Sequence, residues 1–262
     1  MTILDDLEAG RWRAAWPDAA SPGGWRVDPS VKEAILACFA DRTVREWSAG
    51  PLAFRDRAGV PPRDWEVASD TAAAVAAGRP QRIVPGGTSV RAGAHLEPGV
   101  VVMPPSFVNV GAWIGADSMI DSHVLVGSCA QIGARVHLSA GVQVGGVLEP
   151  AGARPVIVED DAFVGAGSLL LEGVLVGRGA VVGAGTVLTG TSRIYDLVGE
   201  RALEGTVDAP LVVPAGAVVV PGIRPARGDF AAAHGLGVAT VLLVKMRDAG
   251  TRARVTLEEA LR

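Results

Sequence analysis

Apolar side chains recur at every sixth position through the middle of the chain. Counted in steps of six from Val84, eleven consecutive positions up to Val144 are valine, isoleucine or leucine. The phase then breaks, and seven further aliphatic positions follow at the same spacing from Val158 to Ile194. The two runs are offset by fourteen residues rather than twelve, so residues 145–157 are predicted to carry a loop between them.

Neither an α-helix nor a flat strand has a period of six. Glycine follows the aliphatic residue in several repeats, as at Gly115, Gly127 and Gly133, and a glycine inside a helix costs about 1 kcal/mol. A flat strand alternates every two residues. A short strand followed by a tight turn fits the spacing, and three such sides close one triangular coil with the aliphatic residues inside. The eighteen positions of the two runs predict a mainly β prism of six coils, and Val213 and Val219 repeat the spacing.

The first 81 residues lack this repeat and are predicted to form a helical domain. They hold five of the six tryptophans of the chain. An Asp-Pro-Ser capping signal at 28–30 precedes the apolar segment 31–39, and the alanine-rich segment 71–77 is also predicted to be helical. Such a domain would cover the open β edge at the start of the prism, which otherwise invites pairing with other chains.

The predicted β-helix spans residues 82–225, with its loop near 149–156, and a C-terminal extension occupies 226–262. Within that extension the apolar segment 237–245 is predicted to be a strand. The segment 256–262 is predicted to be a short helix, with acidic residues early and an arginine last.

Charge and cysteine content exclude several classes of protein. The chain of 262 residues carries a net charge of −4, which leaves no basic surface for nucleic acid. Its two cysteines, Cys38 and Cys129, cannot form a disulfide framework and favour a reducing compartment. The first residues form no apolar signal segment, and no stretch reaches the roughly 18 apolar residues of a membrane span. A cytoplasmic location without membrane contact is expected.

Several strings within the repeats resemble one family of hexapeptide-repeat acyltransferases. They occupy residues 103–112, 126–133 (VGSCAQIG), 137–150 (HLSAGVQVGGVLEP), 191–196 (TSRIYD) and 244–252 (VKMRDAGTR). In these strings the chain is similar to the tetrahydrodipicolinate N-succinyltransferases. The resemblance implies a left-handed parallel β-helix and a homotrimer with its sites between subunits. It also implies transfer of succinyl from succinyl-CoA to the amino group of tetrahydrodipicolinate, in lysine and diaminopimelate synthesis.

The resemblance also implies which residues bind the substrate. Arg82 falls on the family's substrate-binding arginine, Asp121 on its substrate-binding aspartate, and Gly146 on a glycine that lines the acceptor pocket. The acceptor is therefore expected to be a small amine that carries a carboxylate. No metal is expected, and the residues that hold CoA are left unassigned.

The chain departs from the family pattern at positions near the expected site. Leu169 stands where the family has a glutamate, Gly167 where it has an arginine, and His123 where it has a tryptophan. The chain is therefore identified as a divergent member whose acceptor amine and pathway stay open. Succinyl-CoA is the favoured donor and acetyl-CoA the alternative. A non-catalytic relative is the remaining alternative.

Acyl transfer to an amine requires a group that removes the amine proton. Asp121 follows a core position, so its carboxylate is expected to point out of the prism, where it can hold or deprotonate an amine. His123 lies two residues later, and imidazole is a common proton acceptor near neutral pH. Asp121 and His123 are the predicted catalytic residues, and His137 and Glu172 are weaker candidates for the same role.

The remaining chemical groups have open interpretations. The glycine-rich segment 141–146 is a candidate for backbone N–H groups that bind the oxyanion. Cys129 is interpreted as a packing residue rather than a nucleophile. Four basic residues near the end of the chain are either partners for the CoA phosphates or plain solvated charges: Arg224, Arg227, Lys245 and Arg247.

Two other enzyme classes share the prism but fit this sequence poorly. A γ-class carbonic anhydrase needs three zinc-binding histidines, and no two of the four histidines here are five residues apart. A sugar nucleotidyltransferase needs a nucleotide-binding domain with a glycine-rich phosphate loop before the prism, which residues 1–81 do not supply. An apolar prism face is expected to pack against two further copies of the chain, which gives a trimer.

Overall fold

The computed structural model describes residues 2–49, 52–66, 68–206, 208–248 and 250. Its helices lie outside the repeats and are α1 (Ile3–Glu8), α2 (Pro29–Ala40), α3 (Ser69–Ala76) and α4 (Asp229–Ala233). The helices predicted over 31–39 and 71–77 are confirmed as α2 and α3, and Asp28 caps α2 by accepting a hydrogen bond from the Ser30 N–H. No described helix combines the length and apolar character needed to cross a membrane.

Two antiparallel hairpins accompany these helices in the first part of the chain. They pair β1 (Ala15–Pro17) with β2 (Trp25–Val27) and β3 (Val44–Ala49) with β4 (Leu52–Arg57). Neither hairpin has a strong alternating pattern or a two-residue Asn-Gly type turn, which are the sequence signals for such elements. The segment predicted as helical is therefore a mixture of helices and hairpins.

The middle of the chain winds into a three-sided prism whose sides are parallel sheets. Face I contains β5 (Arg82–Ile83), β8 (Val101–Val102), β11 (Met119–Ile120), β14 (His137–Leu138), β17 (Phe163–Val164), β20 (Val181–Val182) and β25 (Ala217–Pro225). Face II contains β6 (Ser89–Val90), β9 (Phe107–Val108), β12 (Leu125–Val126), β15 (Gln143–Val144), β18 (Leu169–Leu170) and β21 (Val187–Leu188). Face III contains β7 (His95–Leu96), β10 (Trp113–Ile114), β13 (Gln131–Ile132), β16 (Ile157–Val158), β19 (Leu175–Val176) and β24 (Val212–Val213). The fold is a left-handed parallel β-helix, as predicted.

The second residue of each short strand fills the inside of the prism. Ile114, Ile120, Ile132 and Leu138 have no exposed surface. Ile114 pairs with Ile132 and Ile120 with Leu138, so residues eighteen apart stack on each other in successive coils. Each fully buried side chain of this kind stabilises the fold by about 1.5–3 kcal/mol. The sixfold spacing therefore marks the inner layer of the prism.

The first repeat is one residue out of phase with the predicted core. Ile83, not Val84, pairs with Val102 and packs against the core, while Val84 is only half-buried. Seven residues rather than six lead from Ile83 to Val90. The turn between them contains Gly86 and Gly87 with φ of 143° and 93°, a conformation that side chains oppose. The predicted core position at Val84 is wrong by one residue because this turn is longer.

Ile194 keeps the spacing of six but leaves the prism. Its side chain is buried, yet β22 (Arg193–Asp196) forms a hairpin with β23 (Arg201–Glu204) and lies parallel to β26 (Gly237–Met246). Val213 takes the vacant place on face III, where it pairs with Val176. The last hexad of the second run therefore lies outside the prism. Val213 and Val219 complete the final coil.

The C-terminal segment extends face I. The strand predicted over 237–245 is confirmed as β26, which runs antiparallel to β25. The helix predicted over 256–262 lies outside the described residues.

The N-terminal segment covers the first coil of the prism. Arg63 donates its backbone N–H to Val90 O at 2.8 Å. The backbone N–H of Leu96 donates to Asp70 Oδ2 at 2.8 Å, and Gln81 Nε2 donates to Leu96 O at 2.7 Å. These bonds satisfy backbone groups of the edge strands β6 and β7 that would otherwise be open to pairing.

The same segment also runs along the outside of face III. Ala15 and Trp25, from the β1–β2 hairpin, pack against the outward side chains of Ile157 and Leu175. Since these outward residues belong to β16 and β19, the contact reaches far beyond the first coil. The N-terminal segment thus covers the outside of face III at β16 and β19.

The loop between β15 and β16 is held by the N-terminal segment. Lys32 of α2 is fully buried, and its Nζ donates to Ala153 O. Arg154 Nη1 donates to Trp25 O at 3.1 Å. The loop predicted between the two runs of hexads is confirmed, and its position next to Gly146 is fixed from outside the prism.

Candidate active site

Asp121 lies on the turn that joins β11 of face I to β12 of face II. The turn follows Ile120, which points into the prism, so the Asp121 side chain lies outside and is 30% exposed. Its Oδ1 accepts a hydrogen bond from the Ser122 N–H at 2.7 Å, and its own N–H donates to Leu138 O at 3.0 Å. The turn therefore fixes the carboxylate through one oxygen and leaves Oδ2 for another group.

The parallel register of face I brings His137 beside Asp121. Met119 pairs with His137, and this places the imidazole Nε2 3.9 Å from Asp121 Oδ2. Phe163 packs edge-on against the imidazole, with 5.1 Å between the ring centroids. The distance is too long for a hydrogen bond, but a protonated imidazole and a carboxylate attract each other at this range. The sequence does contain a signal for this contact, because His137 follows Met119 by the eighteen residues of one coil. His123 is not in register with a strand residue in this way, since it lies on the turn.

His123 lies on the same turn as Asp121, in the left-handed backbone region at φ 62°. The equivalent positions of the next coils are Gly141, Gly167 and Gly185, with φ of 73°, 68° and 70°. A side chain is disfavoured in this conformation, so the histidine works against the local backbone preference. Its N–H donates to Pro105 O at 2.7 Å, and its side chain is exposed.

The other two predicted substrate-binding residues lie apart from Asp121 within one chain. Arg82 is exposed on β5, two strands before β11 on face I. Gly146 follows β15 at the opposite edge of face II, where a Cβ would approach Ser128 N to 2.7 Å. A single chain therefore brings together Asp121, His123 and His137, but not Arg82 or Gly146.

A cavity of about 480 Å³ opens beside Gly146. Its wall includes Glu149 and Arg154 of the loop, together with Leu171 and Glu172 of the next coil. Glu172 Oε2 accepts a hydrogen bond from the Gly190 N–H at 3.1 Å. The carboxylate of Glu172 is therefore tied to the neighbouring turn, which favours a structural role over the proton-accepting role considered for it.

The three departures from the family pattern border face II. Leu169 lies on β18 beside Gln143 of β15, and Gly167 and His123 lie on the corner between faces I and II. Gln143 Nε2 donates to His123 O at 3.2 Å. A Cβ at Gly167 would meet no atom within 4 Å, so the surface there is open. The outward strip between the Asp121 corner and the Gly146 corner is thus more apolar and less filled than the family pattern implies.

The backbone of the glycine-rich segment 141–146 is mostly used by the prism itself. The N–H groups of Gly141, Gln143 and Gly145 donate to carbonyl oxygens of neighbouring coils at 2.8–2.9 Å. Within the described residues, no hydrogen bond engages the N–H of Gly146. The segment therefore offers an oxyanion donor at Gly146 rather than along its whole length.

Cys129 is a packing residue, as predicted. It has no exposed surface and packs with Leu7, Ala14, Val31 and Ile35 beneath α1 and α2. Burial raises the pKa of its thiol to about 12, so the thiolate needed for nucleophilic attack is scarce at neutral pH.

The four basic residues near the end of the chain separate into two groups. Arg224 and Arg227 line a cavity of about 520 Å³ together with Arg193 and several hydroxyl groups. Lys245 Nζ instead contacts Asp248 Oδ2 at 2.7 Å, and Arg247 Nη1 donates to two backbone oxygens, Asp161 O and Gly179 O. Only the first pair is arranged to meet an anionic ligand.

The chain matches known proteins over nearly its whole length. A family profile described as hexapeptide repeat of succinyl-transferase matches residues 155–190. The 2,3,4,5-tetrahydropyridine-2,6-dicarboxylate N-succinyltransferase of Xylella fastidiosa strain 9a5c is 39% identical over 99% of this chain and 86% of its own. Proteins of the same name from Idiomarina loihiensis and Dechloromonas aromatica are 40% and 37% identical, over 99% and 100% of this chain and 87% and 88% of theirs.

Proposed function

This chain belongs to the tetrahydrodipicolinate N-succinyltransferase family, and we propose that it transfers succinyl from succinyl-CoA to the amino group of tetrahydrodipicolinate or a related amino dicarboxylate. The observation that carries the proposal is the Asp121–His137 pair, 3.9 Å apart on an outward edge of the prism. An amine acceptor needs a group of this kind because its ammonium form has no lone pair for attack.

The reaction forms a carbon–nitrogen bond and breaks the carbon–sulfur bond of the thioester. The amine lone pair attacks the thioester carbon, and Asp121 accepts the proton that the amine loses. His137 Nε2, 3.9 Å from Oδ2, positions this carboxylate, and His123 is the second proton acceptor on the same turn. The free N–H of Gly146 supports the carbonyl oxygen as negative charge develops there. The carbon–sulfur bond then breaks with release of the CoA thiolate, which takes up a proton, and no covalent enzyme intermediate is required.

The acceptor site is shared between subunits of a homotrimer. Asp121 and Gly146 lie at opposite edges of face II in one chain, so one acceptor cannot easily touch both within that chain. The outward residues of face II include Phe107 and Leu125 on paired strands and Leu169 beyond Gln143, and these apolar side chains suit a neighbouring copy. In this arrangement Asp121 of one subunit and Gly146 of the next face the same acceptor, and Arg82 binds its carboxylate through the planar guanidinium.

The phosphates of the acyl-CoA donor bind in the cavity lined by Arg224 and Arg227. Guanidinium groups are well suited to phosphate, and Arg193 is already paired there with Glu204 at 2.5 Å. The unpaired cysteines fit a reducing compartment, and we place this activity in the cytoplasm, in lysine and diaminopimelate synthesis.

An altered acceptor is the second candidate function. Leu169 and Gly167 leave an apolar, unfilled surface on face II where the family pattern has a glutamate and an arginine. Such a surface favours an acceptor with a longer apolar chain, or an acetyl donor in place of succinyl.

Thiol release from succinyl-CoA and acetyl-CoA tests these functions. Each donor is combined with L-2-aminopimelate, a stable stand-in for the ring-opened acceptor, and with a panel of amino acids. Turnover of succinyl-CoA with aminopimelate supports the proposed reaction. Turnover with a different donor or amine alone supports the altered acceptor, and silence throughout with no CoA binding contradicts both.

A further inference from the structure

A second cavity, of about 340 Å³, lies at the corner between faces III and I. It is bounded by Arg13, Trp25, Trp113, Glu97 and Asp160. Asp121 lies at the corner between faces I and II, and Gly146 at the corner between faces II and III. This Arg13 cavity is therefore on the third corner, and the acyl-transfer site does not include it.

The guanidinium of Arg13 is held between aromatic rings. Its Cζ lies 4.1 Å from the ring centroid of Trp113, 5.3 Å from that of Trp25 and 5.8 Å from that of Trp16. Its Nε donates to Gln131 Oε1 at 2.5 Å. The stacking and this one bond fix the plane of the guanidinium, as preorganised recognition of a planar anion requires.

The two terminal nitrogens of Arg13 form no hydrogen bond or ion pair within the described residues. Arg63, the buried arginine of the N-terminal segment, is arranged differently. Arg63 donates from its terminal nitrogens to Ala94 O and to Asp70, and it is paired with Glu8 at 3.8 Å. Arg13 is only half-buried, so its terminal nitrogens face the cavity, where a ligand can reach them, whereas those of Arg63 are used within the protein.

The acidic residues of the cavity are not available to neutralise Arg13 directly. Asp160 Oδ1 accepts from the Ala134 N–H at 3.0 Å, and its Oδ2 pairs with Arg178 at 3.0 Å. Glu97 uses Oε2 to accept from the Ala116 N–H at 2.8 Å. Glu159, which also lines the cavity, accepts from Trp25 Nε1 at 3.0 Å and from the Arg178 N–H at 2.9 Å. Burial lowers the pKa of Arg13 to about 10, against the smaller opposing effect of Glu97 and Asp160. The cavity thus holds a partly desolvated cation with carboxylates nearby but not bonded to it.

We propose that the Arg13 cavity binds a zwitterionic α-amino acid. The carboxylate of the ligand accepts two hydrogen bonds from the terminal nitrogens of Arg13, in the bidentate geometry that guanidinium favours. Its ammonium lies toward Glu97 Oε1, which accepts no hydrogen bond from the described residues. A ligand with both charges matches a cavity that presents a cation and a carboxylate, whereas a simple anion would be repelled by Glu97 and Glu159.

Calorimetric binding to the full-length protein tests the proposal without any dependence on acyl transfer. The probes are glycine, L-alanine, L-valine and L-lysine, each compared with its amide and its N-acetyl derivative. We expect saturable binding of at least one free amino acid. We also expect at least roughly tenfold weaker binding of the amide, which lacks the carboxylate, and of the N-acetyl form, which lacks the ammonium.

Three variants identify the residues responsible. Arg13→Met keeps the apolar contact with the tryptophans but removes the guanidinium group. This variant is expected to lose binding of the amino acid. Glu97→Gln keeps an acceptor for the Ala116 N–H. It is expected to weaken binding of the free amino acid but not binding of the N-acetyl form. Arg26→Met is the matched control, because Arg26 is exposed on β2 beside the buried Trp25, and it is expected to bind as the unaltered protein does.

Two results would overturn the proposal. One is the absence of saturable binding for all four amino acids at millimolar concentration, with the protein folded by circular dichroism. The other is binding that survives Arg13→Met unchanged while the melting temperature of that variant shows that it is folded. The binding measurement does not depend on acyl transfer. A protein that releases no thiol in the activity assay could therefore still bind the amino acid in this cavity.

Discussion

The residues proposed for catalysis are those adjacent in sequence to buried core positions, because their side chains point out of the prism. Asp121 follows the buried Ile120, and His137 precedes the buried Leu138, so both side chains emerge on the same edge of face I. The position of Asp121 could be predicted from the hexad phase alone. The pairing with His137 follows from the eighteen-residue coil, but only once each hexad is assigned to a face.

Replacing Asp121 by asparagine tests its role as the proton acceptor. The amide side chain of Asp121→Asn would keep the bond to the Ser122 N–H but could not accept a proton. We expect kcat for thiol release to fall by roughly 10²–10⁴-fold, with little change in melting temperature. Asp41→Asn, at an exposed position that ends α2, serves as the control. Unchanged turnover in Asp121→Asn would rule out the carboxylate as proton acceptor.

His95 gives the fold a specific dependence on pH. Burial lowers the pKa of His95 to about 4 from its ordinary 6.5, and its ring stacks on Trp113 at 4.0 Å. Above pH 6.5 the imidazole is neutral in both the folded and unfolded states. As the pH falls toward 4, the unfolded state gains the proton first, so stability is lost by about 3 kcal/mol in total.

Urea unfolding at pH 7 and pH 4.5 measures this effect. His95→Gln keeps a donor for Glu8 O, which the imidazole Nδ1 contacts at 2.7 Å, but cannot be protonated. We expect the unaltered protein to lose about 2–3 kcal/mol more than the variant between these two pH values. His234→Gln, at an exposed histidine, is the control. Parallel losses in the protein and in His95→Gln would contradict the assignment.

At the element scale, regular coils are predictable and their interruptions are not. The spacing of six marks inner positions because each side of the prism repeats one short strand and one turn. At Val84 a turn longer by one residue shifts the phase, and at Ile194 the chain leaves the prism although the spacing persists. The predictions at Val84 and Ile194 were wrong for the same reason. A periodic pattern indicates which side chains are buried, but the strand with which each residue pairs depends on turn length and on strands distant in sequence.

The hairpins of the first 81 residues were not predictable for a related reason. The β1–β2 hairpin is stabilised by contacts with face III, such as that of Trp25 with Leu175, rather than by its own propensity. A two-stranded hairpin is marginal alone, so its sequence need carry little local signal.

A truncation inside one coil measures how much each inner residue contributes. Leu138 has no exposed surface and is enclosed by the neighbouring coils. Leu138→Ala is expected to lower the free energy of unfolding by about 2–5 kcal/mol, through lost burial and the cavity left behind. Val187→Ala, at a side chain that is 47% exposed, should cost much less. Equal losses from the two variants would show that the hexad positions do not form the core.

In the whole assembly, the proposed acceptor site lies between subunits. The family resemblance implied Arg82, Asp121 and Gly146 as one substrate-binding set, yet a single chain separates them across face II. Sequence could indicate these residues but not their distance from each other, because that distance depends on how copies of the prism pack. The shared site remains a proposal that mixing of subunits tests directly.

Mixed assemblies of Asp121→Asn and Gly146→Ala subunits separate the two arrangements. Each variant alone is expected to be inactive. Suppose that each site takes its aspartate and its glycine from different subunits. After random mixing in equal amounts, half of the subunits carry each intact residue, so about one quarter of the sites have both and regain activity. If both residues act within one chain, no intact site can form and the mixture stays inactive. Thermal melts establish that Gly146→Ala folds, since its Cβ would crowd Ser128 N.

The central claim is that this chain joins a succinyl group to the amine of an amino dicarboxylate. Mass spectrometry of the product formed from succinyl-CoA and L-2-aminopimelate tests it most directly. We predict an acceptor whose mass has increased by one succinyl group at its amino nitrogen, formed by the unaltered protein and not by Asp121→Asn. Unmodified aminopimelate, with succinyl-CoA either intact or merely hydrolysed to succinate, would contradict the account.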